Sequence, residues 1–202
     1  MNDHMKLSLH IAGLAFAFVA GSAMAQEAPD ALVKRVSQET LAIIKSDPKV
    51  QAGDQARIRE VVETKLLPNF DFERITALAM GRNWRQATPE QQKQLVDQFR
   101  ALLVRTYSGA LTQYRDQTMD YKPLRADANA TEVTVRTEVV RQGQAPVPID
   151  YSMTKAASGW KVYDVIVGGV SLVTNYRDEF SEQIKNGGID GLIKTLQAKN
   201  GR

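Results

Sequence analysis

The spacing of apolar residues changes along this chain from the period of a helix to the period of a strand. In the first half, apolar positions recur every three or four residues, which is typical of amphipathic helices. With its proline and glycine stops, this pattern predicts helices over residues 31–47 and 54–67, a short helix between Asp71 and Gly81, and a long helix after Thr88.

The long helix has the clearest start signal in the chain. Thr88, Pro89 and Gln91 occupy the N-cap, N1 and N3 positions of a capping box. The apolar stripe that this helix is expected to bury consists of Leu95, Phe99, Leu102, Leu103, Tyr107, Leu111 and Tyr114.

The second half mainly alternates between apolar and polar residues, as half-buried strands do. Strands are predicted over residues 121–125, 132–141, 147–154 and 160–167, with short turns at 142–145 and 157–159. Strands joined by such short turns pair antiparallel and form a meander. After Gly168-Gly169 the period becomes helical again, with a stop at 186–188 and a last short helix over 189–196. The expected fold class is α+β.

The last strand, over residues 160–167, differs from the others because both of its faces are largely apolar. Strict alternation would place Trp160, Val162 and Ile166 on one face and Tyr163, Val165 and Val167 on the other. Either helices cover both faces, or a curved sheet and several helices enclose an apolar cavity. Because protein cores are usually filled at crystal-like density, the residue pattern leaves both possibilities open.

The first 25 residues have the layout of a secretory signal peptide. Lys6 precedes an apolar run over residues 7–20, and Ala23-Met24-Ala25 forms an A-x-A cleavage site. We therefore expect cleavage after Ala25, a single domain over residues 26–202, and export to the periplasm of a Gram-negative bacterium. The net charge of +3 slightly favours anionic partners such as lipid headgroups.

The content of histidine and cysteine excludes several classes of catalytic site. The chain has no cysteine, and both histidines, His4 and His10, lie in the predicted leader. Catalysis by a Ser–His–Asp or Cys–His arrangement and zinc sites built from Cys and His are therefore excluded for the mature protein. Asp164 could be a carboxylate with a raised pKa, or it could have a structural role, accepting hydrogen bonds from the backbone or a tyrosine or facing outward at a bend. We favour the second role and expect no enzyme activity.

Several motifs carry a resemblance to one family. They are GWKVYDV at 159–165, GVSLV at 169–173, NYR at 175–177, DGLI at 190–193 with Leu196, and upstream FDF at 70–72, ALA at 77–79 and Trp84, followed by Phe99 and Tyr107. Together these resemble the MlaC family, the periplasmic phospholipid carriers of the maintenance-of-lipid-asymmetry pathway, also called the toluene-tolerance auxiliary family. The resemblance extends over essentially the whole predicted mature chain.

The resemblance implies a curved antiparallel sheet packed with several helices, as a nuclear-transport-factor-like cone around an apolar cavity. It implies a monomer that shuttles phospholipid between an outer-membrane lipoprotein complex and an inner-membrane ABC transporter. Such a carrier maintains outer-membrane lipid asymmetry, needs no cofactor or metal, and binds no nucleic acid. The acyl chains would lie in the cavity, and the headgroup would face solvent.

The residues predicted to contact lipid combine sheet positions with helix positions across the domain. They are Phe72, Leu103, Tyr107, Val135, Tyr151, Met153, Val165, Val167, Val170 and Val173. Two other functions stay open alongside the carrier. One is a small-molecule enzyme of similar fold that uses Asp164 and a tyrosine, and the other is an adaptor that binds only proteins.

Overall fold

The structure is a computed structural model, and it describes residues 26–109, 117–127 and 129–201. The predicted leader, and Leu111 and Tyr114 of the predicted long helix, lie outside these ranges. The α-helices are α1 (Pro29–Ser46), α2 (Pro48–Gln51), α3 (Gln55–Val61), α4 (Phe72–Met80), α5 (Pro89–Tyr107) and α6 (Leu172–Asn200). Between α3 and α4 the chain forms a π-helical turn, Val62–Leu66, and a 3₁₀ turn, Leu67–Asn69. A second 3₁₀ turn, Gly81–Gln86, follows α4.

The strands form one antiparallel sheet in sequence order, which confirms the predicted α+β meander. They are β1 (Thr118–Tyr121), β2 (Glu132–Val140), β3 (Val147–Ala156), β4 (Gly159–Val167) and β5 (Val170–Ser171). The prediction placed the first strand at 121–125, which is wrong by about three residues. Thr118–Tyr121 pairs with the end of β2, whereas Pro123 has no N–H to donate to a ladder.

Side-chain caps fix the starts of three elements that position the site. Asp71 accepts a hydrogen bond from the N–H of Arg74 and caps α4, and the capping box of Thr88 and Gln91 starts α5 as predicted. Ser171 caps α6 by accepting from the N–H of Thr174. Helical geometry in α6 breaks at Gly188, where φ is 67° and ψ is −174°, so the predicted interruption at 186–188 is confirmed.

A β-bulge in β4 changes which side chains share a face. Across from β4, Ser152 pairs with Asp164 but Met153 pairs with Val162, so Tyr163 is the extra residue of the bulge. The extra residue shifts the alternation by one. Four apolar side chains therefore share what we call the inner face of β4: Trp160, Val162, Val165 and Val167. The predicted division of this strand into two faces by strict alternation is wrong for this reason.

The buried apolar residues form two main cores with a gap between them. The helical core lies among α4, α5 and α6, where the Phe99 ring contacts Tyr176 and Phe180 at centroid distances of 4.8 Å each. The sheet core lies between α1 and the inner face, and it includes Leu32 and Met153. No helix in the described ranges is long and apolar enough to cross a bilayer.

Candidate functional site

An apolar cavity of about 300 Å³ lies where the helical core and the sheet core meet. Its wall combines the inner face of the sheet with the start of α4, the end of α5, the start of α6, and the π and 3₁₀ turns. The lining residues are Val62, Leu66, Leu67, Phe70, Phe72, Ile75, Leu103, Val104, Tyr107, Ser108, Ile149, Tyr151, Asp164, Val165, Val167 and Leu172.

Strand register builds the sheet side of this wall. Ile149 pairs with Val167, and Tyr151 pairs with Val165, so these four side chains occupy neighbouring positions on one face. The register follows from the bulge at Tyr163, which brings Val165 and Val167 onto the same face as Val162. A smooth strand would have placed Val165 and Val167 on the face opposite Val162.

The π and 3₁₀ turns build the wall that faces the sheet. Their residues Val62, Leu66 and Leu67 all line the cavity. The chain then joins the edge of β4, where the N–H of Asp71 donates to the carbonyl of Val162 at 2.9 Å. This contact places Phe70 between the two cores, because Phe70 packs against both of them.

Six of the ten residues predicted to contact lipid are brought together in the cavity wall. They are Phe72, Leu103, Tyr107, Tyr151, Val165 and Val167. Met153 lines a smaller adjoining cavity of about 70 Å³, which Tyr151 also borders.

The other three predicted residues lie elsewhere. Val135 is buried in the sheet core at 2% exposure, and Val173 is buried in the helical core because it lies on the side of α6 that packs against the other helices. Val170 follows the Gly168-Gly169 turn and is 63% exposed. Both glycines have positive φ, 58° and 84°, which joins β4 to β5 tightly and leaves Val170 at the surface.

The prediction missed the cavity residues that come from the π and 3₁₀ turns. Adjacent apolar pairs, Val61-Val62 and Leu66-Leu67, are the only sign of them in the sequence. Such pairs also occur in regular amphipathic helices, and Leu103 and Val104 of α5 line the cavity side by side. The sequence therefore contains no specific signal for these turns.

Few polar groups line the cavity, and those groups have partners within the protein. The Asp164 carboxylate accepts from the N–H groups of Val165 at 2.9 Å and Val173 at 3.0 Å, and from the Ser171 hydroxyl at 2.6 Å. The Ser108 hydroxyl donates to the carbonyl of Val104. The preferred prediction for Asp164, acceptance of backbone hydrogen bonds, is confirmed. Among the described lining residues, none carries a positive charge.

Tyr107 and Val167 mark the open end of the cavity, since they are 46% and 47% exposed. Behind Tyr107 lies the buried phenol of Tyr176 in the helical core. Burial, together with the nearby Tyr107 hydroxyl, raises the pKa of Tyr176 far above its usual range. The phenol of Tyr176 is therefore neutral near pH 7.

The outer face of β4 is covered by protein at Tyr163. The guanidinium of Arg74 stacks 3.8 Å from the Tyr163 ring centroid and forms an ion pair of 2.6 Å with Glu132. The Tyr163 hydroxyl donates to the same carboxylate at 3.2 Å. The hydrogen bond from Arg74 lowers the pKa of Glu132. Protein groups therefore pack on Tyr163 at the outer face, whereas the apolar cavity lies on the inner face.

A second concave region differs in chemistry from the cavity. It is an open cleft of about 560 Å³ between the end of α4 and α6, lined by the cations Arg82, Arg177 and Lys185 among other residues. Arg177 also donates to the carbonyl of Leu78 at 2.9 Å, which braces α6 against α4. Nowhere in the described ranges do three or more His, Cys, Asp or Glu side chains gather closely enough to hold a metal ion.

Comparison with known proteins finds a family and two relatives that match this chain over most of its length. The family described as "MlaC protein" matches residues 34–198. The toluene tolerance protein ttg2D of Pseudomonas putida is 27% identical over 174 residues, covering 86% of this chain and 80% of that protein. The intermembrane phospholipid transport system binding protein MlaC of Haemophilus influenzae is 24% identical over 182 residues, covering 89% of this chain and 85% of that protein.

A solved structure shares the fold at higher sequence identity. It is the phospholipid-binding protein from Ralstonia solanacearum in complex with a phospholipid, which is 45% identical with a TM-score of 0.80. The match covers 85% of this chain and 96% of the Ralstonia chain.

Proposed function

The chain belongs to the MlaC family, and from this premise we propose that it is a phospholipid carrier of the periplasm. The observation that supports this most directly is the apolar cavity between the inner face of the sheet and the helices. The phospholipid-bound Ralstonia relative has the same fold at 45% identity. A cavity lined by Val, Leu, Ile, Phe and Tyr matches the chemistry of acyl chains and not that of a charged metabolite.

In this proposal the acyl chains enter through the open end at Tyr107 and Val167, and the headgroup stays in solvent. The absence of cations from the described lining residues supports this orientation, because a buried phosphate would require a compensating charge or several hydrogen-bond donors. The predicted lipid contacts Phe72, Leu103 and Tyr151 lie deeper in the same wall.

The energetics fit a carrier that gives up its cargo. Burying roughly thirty methylene groups at ~0.8 kcal/mol each is worth about 25 kcal/mol relative to water. The donor and acceptor of the lipid are membranes, where the same groups are already buried. Transfer between a bilayer and an apolar cavity can therefore be close to thermoneutral, and shielding from water is the task of the protein.

We propose that the protein exchanges phospholipid with an outer-membrane lipoprotein complex and an inner-membrane ABC transporter, acting as a monomer. The family and the name of the Haemophilus relative support a role in intermembrane phospholipid transport. The predicted signal peptide supports export. No chemical step is part of this proposal, since the Asp164 carboxylate already accepts three hydrogen bonds within the protein.

Native mass spectrometry of protein purified without detergent tests the proposal. We expect a mass surplus that organic extraction identifies as phospholipid, because an apolar cavity should not stay empty when lipid is available. As a control, delipidated protein is offered vesicles and should regain the same surplus. Protein that is free of lipid after purification, and that takes up none from vesicles, would refute the carrier function.

A further inference from the structure

The open cleft between the end of α4 and α6 has a positively charged lining. Three of its eight lining residues are cations, Arg82, Arg177 and Lys185, and none of the eight is acidic. Asn83 and Ser181 add neutral groups that can donate hydrogen bonds. A concave surface lined by one sign of charge concentrates ions of the opposite sign. The cleft, with a volume of about 560 Å³, is therefore suited to an anionic ligand.

The cations of this cleft have no carboxylate partners within the described protein. Among residues 26–109, 117–127 and 129–201, none of the three forms an ion pair. The acidic residues Asp178 and Glu182 belong to the same part of α6 but do not line the cleft. Arg82 and Lys185 are also exposed to solvent. Their charges are therefore available to the carboxylates of another molecule.

Arg177 is held in place without any ligand. Its Nε donates to the carbonyl of Leu78 at 2.9 Å, so the guanidinium is anchored at the end of α4. Gly81 leaves space beside it, because a side chain at this position would begin 3.9 Å from Cδ of Arg177. The two terminal nitrogens of the guanidinium keep N–H groups whose geometry matches a carboxylate. Because this group is already ordered, it loses less conformational entropy on binding.

The spacing of the cations along α6 fits an extended chain. Arg177, Ser181 and Lys185 recur every fourth residue, so they lie along one side of the helix. At about 1.5 Å per residue, the Cα atoms of Arg177 and Lys185 are roughly 12 Å apart along the helix axis. In an extended peptide, residues i and i+4 lie about 13 Å apart and project to the same side. Two carboxylates at this spacing can meet both cations, whereas the flat surface of a bilayer cannot enter a cleft.

We propose that the cleft between α4 and α6 binds an acidic, extended segment of a protein partner. Carboxylates about four residues apart pair with Arg177 and Lys185 on α6, and Arg82 contacts the segment from the opposite wall. The cleft is separate from the apolar cavity. Phe72 at the start of α4 lines the cavity, and Met80 at its end lines the cleft, about 12 Å further along the helix. A docked segment therefore leaves the open end of the cavity free, and its binding does not depend on the proposed carrier function.

A synthetic peptide of alternating aspartate and glycine tests this proposal. Titration followed by amide NMR measures its affinity and shows which residues of the protein it contacts. The cleft variant combines Arg82→Glu with Lys185→Glu. Its matched control combines Arg85→Glu with Lys194→Glu, which makes the same change of charge at exposed residues of the same turn and the same helix, outside the cleft. A peptide with asparagine in place of aspartate and vesicles of phosphatidylglycerol are the other probes, and thermal melts establish that each variant is folded.

We expect the cleft variant to bind the acidic peptide about tenfold more weakly, since two exposed ion pairs are lost and each changes an equilibrium by up to about fivefold. The control variant should keep the affinity of the unmodified protein, and the asparagine peptide should not bind. Added salt should weaken binding, because it screens exposed charges. If the cleft variant does not fold, Lys185→Gln removes one of the charges and should weaken binding by up to about fivefold.

Equal weakening in both double variants would show that net charge attracts the peptide and would overturn the proposal. The absence of peptide binding to the unmodified protein would overturn it as well. Binding confined to phosphatidylglycerol vesicles would identify a membrane surface as the partner in place of an acidic segment. All three outcomes leave the carrier function standing, because none of them measures lipid in the cavity.

Discussion

Replacing Asp164 by alanine removes three hydrogen bonds, two of which join β4 to the start of α6. One carboxylate oxygen accepts from the N–H groups of Val165 and Val173, and the other accepts from the Ser171 hydroxyl. At about 1 kcal/mol net for each bond, the loss is about 3 kcal/mol. The favourable interaction of the carboxylate with the N-terminus of α6 adds ~0.3–1 kcal/mol. We therefore expect Asp164→Ala to lower the free energy of unfolding by about 3–4 kcal/mol.

The asparagine variant separates this structural role from a catalytic one. Asp164→Asn keeps one acceptor oxygen for both N–H groups, and the Ser171 hydroxyl can rotate to accept from the new amide. It should therefore cost no more than about 1 kcal/mol, with lipid uptake unchanged. Ser171→Ala is a matched control that removes one of the three bonds and the N-cap of α6, so its loss should lie between those of the two Asp164 variants.

Urea unfolding of delipidated protein measures these differences, and uptake from vesicles measures function. The reasoning is refuted if Asp164→Ala is as stable as the unmodified protein. It is also refuted if Asp164→Asn remains folded and stable but no longer takes up lipid. The second result would show that the carboxylate acts on the ligand and not only on β4 and α6.

The remaining predictions concern the cavity wall, the break in α6 and an ion pair. Val165→Trp adds about seven non-hydrogen atoms to the wall, which occupy space that acyl chains would otherwise fill. Lipid occupancy should fall while the melting temperature of delipidated protein is retained, and a lower melting temperature with full occupancy would contradict the cavity assignment. Gly188→Ala should lower the free energy of unfolding by ~1–3 kcal/mol, because the backbone conformation of Gly188 is confined to glycine. By contrast, Gly187 has helical backbone with open space around it, so Gly187→Ala should raise the free energy of unfolding by up to about 1 kcal/mol. Equal shifts in melting temperature for the Gly187 and Gly188 variants would contradict this. Arg74 lowers the pKa of Glu132, so the ion pair should make the unmodified protein more stable than Glu132→Gln by ~0.5 kcal/mol, as for an exposed pair. This difference in the free energy of unfolding should be present above pH 4.5, the ordinary pKa of a glutamate, and should vanish as the pH falls below it. A difference that persists in acid would refute the ion-pair origin.

Local signals in the sequence determined most of the elements. Period and capping residues act within a few positions of the chain, so they can be identified without knowing what packs against them. The capping box at Thr88 and the interruption at Gly188 both follow from such short-range chemistry. Six of the predicted lipid contacts line the cavity because apolar alternation on strands and helices indicates which side faces the interior.

Tertiary structure alone decided where that interior is empty. The bulge at Tyr163 depends on how β4 aligns with β3, and a single extra residue reverses the faces without any change in composition. Tyr151 lines the main cavity and the smaller adjoining one together with Leu66 and Phe70, which lie far from it in the chain, so no local pattern contains this arrangement. A cavity is defined by missing contacts. Apolar residues look alike in sequence whether they touch one another or surround a space, and only their positions in the fold distinguish a filled core from a cavity.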